Sequence, residues 1–495
     1  MASDRQGDHP PEACGVWPPP LVPIHLNAHS SGRNGGAIPR PAHALPSAPT
    51  QIPPVWLLPL FPTFSRAALK LFYRLEISGE PVPRRGPVLL VANHPNSLLD
   101  PGMVFAVARR PVRFLAKAPL FGTPGIGLLV KGAGAVPVYR QQDYPGETAR
   151  NQDTFRAVWD ALAAGHAVGI FPEGTSHSEP SLVPLKTGAA RIALGAARQT
   201  GGAFPIVPVG LSFREKETFR SDAVTVTGDS VEWDDLAAAG PDDWEAVREL
   251  TRRIEEALHE VTVNLERWED APLVETAEAV YAAEMPVDDA GDARVARLGE
   301  AVDALALVRA RNRADWNQVA REVATHRRVL RILGMTPAEL KGRNRAPVAV
   351  EWTLRQILFF ALGVPAAAVG ILVYGLPYRL TGFLAERRVK HDDVRATFKM
   401  LAGGMIHLLW TLAISIAVGL RFGLWTGVLV ALGLPLLGYV TVHVAERWRD
   451  ATGEARRFFL RTRRPDLLDE LRERQHELAL RLHELWRQVR TAEPA

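Results

Sequence analysis

The fold is decided by the stretch Val88-Leu89-Leu90-Val91-Ala92-Asn93-His94-Pro95-Asn96-Ser97-Leu98-Leu99-Asp100. Its first five residues are apolar, which predicts a buried strand that delivers a polar pair at its end. Ser97 is followed by apolar residues and predicts the start of a helix. The carboxyl end of such a strand faces the ligand crevice of an α/β sheet. His94 and Asp100 could form a dyad there in which the carboxylate orients the imidazole, although a helix cap or a loop pair would use the same residues.

Strand-like and helical stretches alternate on both sides of this segment. The strands are predicted at residues 88–91, 135–139, 167–171 and 206–211, and the helices at 97–108, 146–164 and 188–197. Such alternation predicts an α/β domain with a largely parallel central sheet flanked by helices. Apolar residues at steps of three and four then predict an amphipathic helix over 241–267.

A second strand-like run ends in a sharp turn, Phe171-Pro172-Glu173-Gly174-Thr175-Ser176. Gly174 can adopt backbone angles that other residues avoid, and Thr175 and Ser176 offer hydroxyl groups. Taken alone, this segment predicts only a turn.

Two cations lie where an anion could bind. Lys186 comes just before a helix of small residues, whose exposed amides and dipole favour negative charge. Arg140 closes the segment that starts at Gly132, and its planar guanidinium suits a phosphate. Each cation taken singly also fits a structural or solvated role.

Together, in this order and spacing, these segments resemble the four blocks of the glycerolipid (lysophosphatidate-type) acyltransferase superfamily. The blocks correspond to His94 with Asp100, to 132–140, to 171–176 and to Ile206-Val207-Pro208-Val209, and the resemblance covers about residues 55–265. It implies that His94 and Asp100 are catalytic. It also implies that the substrates are bound by Asn96, Arg140, Glu173, Gly174, Thr175, Ser176 and Lys186.

The resemblance further implies direct acyl transfer without a cofactor or a metal. Neutral His94, held by Asp100, would take the proton of an acceptor hydroxyl, which attacks the thioester of acyl-CoA or acyl-carrier protein. An acyl-enzyme is not needed, in keeping with a chain whose one cysteine, Cys14, lies in a Pro-rich tail. The acceptor implied is a glycerol phosphate.

Two departures from the family pattern refine the expectation. Five residues separate His94 from Asp100 where most members have four, and Ser176-His177 follow Thr175 where an Arg is common. Both features resemble the glycerol-3-phosphate/dihydroxyacetone-phosphate acyltransferase branch. They put one phosphate contact in doubt, which Arg140 and Lys186 could replace. A lysophospholipid acyltransferase and an inactive membrane scaffold remain the alternatives, whereas a serine hydrolase lacks its Gly-x-Ser-x-Gly elbow.

The carboxy-terminal third predicts a membrane region. No charged residue occurs over 356–378, and Arg421 is the one charge over 401–445. A span needs about 20 apolar residues. Arg and Lys are concentrated in the loop 379–399 and after residue 446, so the positive-inside rule predicts that both are cytoplasmic. If the α/β domain is cytoplasmic too, 356–378 cannot cross once, so we expect a re-entrant or interfacial hairpin bent near Pro365, with three simple spans as the alternative.

The predicted organisation follows from these segments. It comprises a disordered Pro-rich tail (1–52), interfacial helices (53–75), the acyltransferase domain (76–270), a helical insertion (271–345), a re-entrant or transmembrane segment (350–378), a transmembrane hairpin (400–445) and a cytoplasmic amphipathic tail (446–495). For 53–75, ordinary helices packed on the core remain the alternative. Near-heptad leucines in the tail allow a homodimer or a helix packed on its own chain.

The overall charge says little about partners. The formal net charge is +4, with 58 Lys and Arg against 54 Asp and Glu. A basic surface could face phosphate or anionic lipid. As evidence for nucleic acid this balance is weak, and we expect no nucleic-acid partner.

Overall fold

Seven strands form one mixed sheet in the part of the chain that the structure, a computed structural model, describes: residues 58–123, 126–140, 143–144, 151–288, 290–311, 313–342, 346–389 and 392–490. The strands are β1 (Arg74–Gly79), β2 (Val88–Ala92), β3 (Val112–Lys117), β4 (Val136–Val138), β5 (Ala167–Ile170), β6 (Ile206–Phe213) and β7 (Asp222–Thr227). Their order is β1-β7-β6-β2-β5-β3-β4. Every pairing is parallel except β6 with β7. The predicted α/β class with a largely parallel sheet is confirmed. The predicted tail 1–52 lies outside the described residues.

Helices cover both faces of this sheet. They are α1 (Phe61–Phe72), α2 (Leu99–Ala108), α3 (Ile126–Gly132), α4 (Asn151–Ala163), α5 (Gly188–Thr200) and α6 (Trp244–Glu260). The buried strand β2 shows why two layers are needed. Leu89 and Val91 join a core with α4, α5 and α6, while Val88 and Leu90 join a second core with α1 and α2. Side chains alternate across a strand, so a run of apolar residues requires cover on both faces.

Helices from the described parts of residues 271–342 pack with the helix 465–490 of the carboxy-terminal tail as one helical layer. Its helices are α7 (Ala271–Glu284), α8 (Gly291–Arg311), α9 (Arg313–Leu333), α10 (Pro337–Lys341) and α14 (Pro465–Arg490). Leu478, Leu482 and Trp486 of α14 are buried in a cluster with residues of α7, α8 and α9. The tail is therefore a helix packed on its own chain, and its apolar stripe is occupied within that chain.

Three long helices lie between α10 and α14 in the chain: α11 (Ala346–Arg388), α12 (Asp392–Phe422) and α13 (Leu424–Arg463). Each is long and apolar enough to cross a membrane. The bend expected at Pro365 is wrong, because α11 continues through both Pro365 and Pro377. A proline removes one helical hydrogen bond, whereas a turn in apolar surroundings would leave several backbone groups unpaired.

α11 lies across the hairpin that α12 and α13 form. The hairpin turns at Gly423, whose φ is 98°, and Gly419 packs against Gly427 beside the turn. Along α11, the contacts with α13 step back along α13: Gln356 with Arg447, Gly363 with Val444 and Tyr374 with Gly438. The contacts with α12 also step back along α12, from Tyr374 with Thr411 to Thr381 with Gly403. α12 and α13 run in opposite directions, so this order puts the contacts of Gln356 and Thr381 nearer the open side of the hairpin than those of Tyr374.

Candidate active site

The candidate site lies at the edge of the sheet where β2, β5 and β6 end. The side chain of Asn93, directly after β2, fastens this loop to β6. Its Oδ1 accepts from Leu211 N at 2.7 Å and its Nδ2 donates to Leu211 O at 3.0 Å. The first and fourth segments singled out in the sequence therefore meet here.

His94 and Asp100 are in direct contact. His94 Nδ1 lies 2.8 Å from Asp100 Oδ2, and the same oxygen accepts from Asn96 N at 2.6 Å. The helix predicted to start at Ser97 begins instead at Leu99. Ser97 has a φ of 50°, in the left-handed region, and this turn lets the first-turn carboxylate of α2 reach back to His94.

The dyad is set in an apolar, aromatic environment. Asp100 is fully buried, and this burial raises the pKa of its carboxyl group, while its contacts with His94 and Asn96 oppose the rise. A more basic carboxylate is a stronger acceptor for an imidazole N–H. The ring of His94 stacks on Phe171 at 4.1 Å between centroids. Among the described residues, Nε2 of His94 has no hydrogen-bond partner, so it is the nitrogen that can meet a substrate.

The turn after β5 holds residues 93–98, the candidate catalytic loop. Glu173 is 2% exposed, and its Oε1 accepts from His94 N at 2.7 Å. Its other oxygen accepts from Val183 N and contacts Nε2 of His177. The backbone of His177 in turn donates to His94 O at 3.2 Å. Ser176 Oγ accepts from Ser97 N at 3.0 Å, so the two loops are joined at several points.

Arg140 and Lys186 meet at Gly174. Arg140 Nη1 donates to Gly174 O at 3.1 Å, and its Nε donates to Asp143 Oδ2 at 2.6 Å. The Lys186 side chain lies so close to Gly174, whose φ is 73°, that a Cβ there would be 2.5 Å from Nζ. Two cations, one of them paired with Asp143, therefore flank the turn next to His94, beside the exposed Thr175.

All nine site residues predicted from the sequence lie on these connected loops or, for Asp100, in the first turn of α2, but not all of them are open to a substrate. Asn96 is fully buried and its Nδ2 donates to Tyr73 Oη at 3.2 Å. Glu173 is buried in the same way and bonds to backbone. These two side chains hold the catalytic loop from behind, whereas Thr175 and Lys186 are exposed.

Sequence reasoning missed two residues behind the site. Tyr73 Oη donates to Lys216 O, and Lys216 Nζ donates to Pro95 O at 2.9 Å. Tyr73 ends an amphipathic helix and Lys216 lies in a polar loop, so neither carried a local motif. Among the described residues, no group of three or more His, Cys, Asp or Glu could hold a metal ion.

Residues 74–212 match the family model described as Acyltransferase. This part of the chain is an acyltransferase domain. The recognition made from the four sequence blocks is confirmed, and His94, Asp100 and the turn at Gly174 all lie within the matched residues of the acyltransferase domain.

Curated relatives extend this match. Glycerol-3-phosphate O-acyltransferase 2 of Saccharomyces cerevisiae is 35% identical over 140 residues, 27% of this chain and 19% of the yeast protein. Glycerol-3-phosphate O-acyltransferase 1 of the same yeast is 26% identical over 363 residues, 67% of this chain and 46% of that protein. The 1-acyl-sn-glycerol-3-phosphate acyltransferase BAT2 of Brassica napus is 32% identical over 143 residues, 28% of this chain and 38% of the plant protein. The chain thus spans less than half the length of these relatives.

Proposed function

We propose that this protein transfers a fatty acyl group from a thioester donor to the hydroxyl of glycerol-3-phosphate or a related glycerol phosphate, in phospholipid synthesis. The observation that carries the proposal is the contact between His94 Nδ1 and Asp100 inside the acyltransferase domain, with Nε2 of His94 left unpaired among the described residues. The similarities to the two yeast glycerol-3-phosphate O-acyltransferases support the acceptor.

The reaction needs no covalent enzyme intermediate. Nε2 of His94 takes the proton from the acceptor hydroxyl as its oxygen attacks the thioester carbonyl. The carbon–sulfur bond then breaks, and the protonated imidazole returns the proton to the leaving thiolate of CoA or acyl-carrier protein. Asp100 accepts from Nδ1–H throughout and stabilises the transient imidazolium. General-base assistance of this kind contributes about 10²- to 10⁴-fold. No cofactor takes part in this scheme.

Arg140 and Lys186 are the proposed site for the acceptor phosphate. Both cations lie against Gly174, and Glu173 directly before it bonds to the backbone of His94. A phosphate held there would place the acceptor within reach of Nε2. The hydroxyls of Thr175 and Ser176 lie on the same turn and can add hydrogen bonds.

The alternative acceptor is 1-acylglycerol-3-phosphate, supported by the similarity to the Brassica napus enzyme. Product mass spectrometry distinguishes the two. Purified protein is incubated with acyl-CoA or acyl-carrier-protein donor and either glycerol-3-phosphate, dihydroxyacetone phosphate or 1-acylglycerol-3-phosphate. We expect a monoacylated product from the first two. Diacylated product from the third acceptor alone would replace our proposal with the alternative, and no acylated product with any acceptor would support the inactive scaffold.

The membrane arrangement is also a proposal. We infer that α12 and α13 cross the bilayer as a hairpin, and that α11 lies in the leaflet next to the acyltransferase domain, on the cytoplasmic side. From residue 400 to residue 422, α12 extends about 33 Å, enough for a hydrocarbon core of about 30 Å. The sequence in which residues of α11 contact α13 and then α12 supports a helix with both ends on one side of the bilayer. The exposed apolar residues Leu60, directly before α1, and Phe64, within it, support an interfacial α1.

Cysteine labelling tests this arrangement. In a Cys14→Ser background, Arg388→Cys and Leu424→Cys place single thiols at the end of α11 and beside the hairpin turn. A membrane-impermeant maleimide applied to sealed vesicles of known orientation should label Arg388→Cys from the cytoplasmic side and Leu424→Cys from the opposite side, whereas three simple spans would reverse both. Labelling of both from the same side would contradict the proposal.

A further inference from the structure

The loop between β6 and β7 contacts both the catalytic loop and the membrane helices. On the catalytic side, Lys216 Nζ donates to Pro95 O at 2.9 Å and to Ser178 Oγ at 3.2 Å. Its own carbonyl accepts from Tyr73 Oη. Lys216 therefore binds the carbonyl of the residue that directly follows His94.

The next residue of this loop binds α12. Glu217 Oε1 accepts from Arg395 Nη1 at 2.8 Å, and Oε2 accepts from Lys399 Nζ at 3.1 Å. All three side chains are about one quarter exposed. Partly buried ion pairs are less screened than surface pairs, and a carboxylate shared by two cations forms a network.

The end of the loop binds α13. Arg220 Nε and Nη2 donate to the two carboxylate oxygens of Glu446 at 2.6 and 3.1 Å. Its backbone has a φ of 64° and donates to Phe72 O, and its Nη1 donates to Lys70 O at 2.8 Å. The left-handed conformation of a non-glycine residue is maintained by these contacts.

Apolar packing reinforces the same junction. Ala396 of α12 is fully buried in the core that contains Leu99 and Met103 of α2, and Met400 packs on that core. The catalytic loop leads directly into α2, so the helix of Asp100 and the hairpin share this core in addition to the contacts of the β6–β7 loop.

We propose that the β6–β7 loop couples the α12–α13 hairpin to the catalytic loop, with Lys216 as a positioning residue for His94. The inference rests on the proposed function. Glu173 and His177 hold the two backbone groups of His94, and Lys216 holds the next carbonyl, Pro95 O. Pro95 O belongs to the Pro95–Asn96 peptide, whose N–H donates to Asp100 Oδ2 at 2.6 Å, so Lys216 and Asp100 hold the two polar groups of one peptide between His94 and Asp100. Glu217 and Arg220 fix the loop that carries Lys216 to the hairpin.

A charge exchange separates coupling from simple structural support. Glu217→Arg replaces two attractions to α12 with repulsions, and Arg395→Glu with Lys399→Glu reverses the partner charges. We expect Glu217→Arg to lower kcat about 10- to 100-fold, since a displacement of about 1 Å at a catalytic group has effects of that order. KM for the acyl donor should change less than about 2-fold, because the interaction lost acts on the chemical step. The triple variant should recover kcat to within about 3-fold of the wild type.

Two variants complete the test. Glu215→Arg makes the same charge change on the same loop at an exposed residue and should leave kcat unchanged. Lys216→Met keeps the length of the side chain and removes the donor, so it should lower kcat like Glu217→Arg. Adding Arg395→Glu and Lys399→Glu to Lys216→Met should not restore kcat. Lys216→Met is also informative if Glu217→Arg fails to fold.

Hydrogen exchange gives a readout that does not depend on activity. In lipid nanodiscs, backbone amides of residues 93–100 should exchange faster in Glu217→Arg and Lys216→Met, and regain protection in the triple variant. Unchanged exchange in both single variants, unchanged kcat, or a triple variant no better than Glu217→Arg would overturn the coupling. A wild type that protects these amides but transfers no acyl group would contradict the proposed function and leave the coupling supported.

Discussion

Asp100 Oδ2 accepts two hydrogen bonds, one from His94 Nδ1 at 2.8 Å and one from Asn96 N at 2.6 Å. One carboxylate oxygen therefore orients the imidazole and closes the loop that carries it. Five residues separate the two side chains, and Ser97 in the left-handed conformation lies between them. A spacing of five residues is thus compatible with a direct dyad.

The dyad should behave as one unit in kinetics. His94→Ala removes the base, and Asp100→Asn removes the charge that holds Nδ1–H. We expect the double variant to be no slower than His94→Ala, because groups that act together are strongly non-additive. Steady-state acyl transfer by the four proteins measures this. A further large loss on adding Asp100→Asn to His94→Ala would show that the carboxylate acts independently of His94.

Tyr73 should matter for stability. Burial raises the pKa of its hydroxyl, which therefore stays protonated and both donates to Lys216 O and accepts from Asn96 Nδ2. Tyr73→Phe leaves two buried groups without that partner, and we expect it to destabilise the protein by about 1–3 kcal/mol. Thermal unfolding in detergent, followed by intrinsic fluorescence, checks this. An unchanged midpoint would mean that water replaces the hydroxyl.

His326 should make the helical layer sensitive to acid. Burial lowers the pKa of His326, and its contact with Gln475 only partly opposes this. A histidine with a lowered folded-state pKa contributes stability that is complete above its unfolded value near 6.5 and is lost as the pH falls through the folded value. The unfolding midpoint should therefore fall between pH 7.5 and pH 5.

The matched variants isolate this residue. His326→Gln should reduce the pH dependence of the midpoint, whereas His259→Gln, at an exposed position of α6, should leave it unchanged. Equal pH dependence in the wild type and His326→Gln would rule out a contribution from His326.

Trp486 should anchor the carboxy-terminal helix to its own chain. It is 4% exposed and its ring contacts Tyr281 edge-on at 4.0 Å between centroids. Trp486→Ala should cost about 3–5 kcal/mol, as large-to-small changes in a core do. Leu480→Ala, on the exposed side of the same helix, should cost little. Equal effects on limited proteolysis of α14 would contradict this packing.

The α/β class could be predicted because apolar runs such as residues 88–92 are buried on both sides, and burial of that kind is visible locally in sequence. The edge strand β1 and its neighbour β7 were not foreseen. β1 contains mostly alternating exposed and half-buried residues. It pairs with β7, and the paired residues Arg74 and Asp222 are 148 positions apart in the chain. Local patterns do not contain such a pairing.

The same limit applies to the site. His94 and Asp100 are six residues apart, so their contact follows from one loop. Only the fold brings Tyr73 to Asn96, 23 residues away, and Lys216 to Pro95, 121 residues away. Pro365 was misleading for a related reason. A proline marks where a helix can bend, while packing along α12 and α13 decides whether it does.

Acceptor-dependent release of free thiol tests the central claim most directly. Wild-type protein and His94→Ala, both reconstituted in lipid, are given acyl-CoA with and without glycerol-3-phosphate, and free CoA is measured with the acylated product. We predict stoichiometric CoA and monoacylated product from the wild type only when acceptor is present, and a rate about 10²- to 10⁴-fold lower from His94→Ala. Wild-type rates from His94→Ala, or thiol release without acceptor, would contradict direct transfer by the His94–Asp100 dyad.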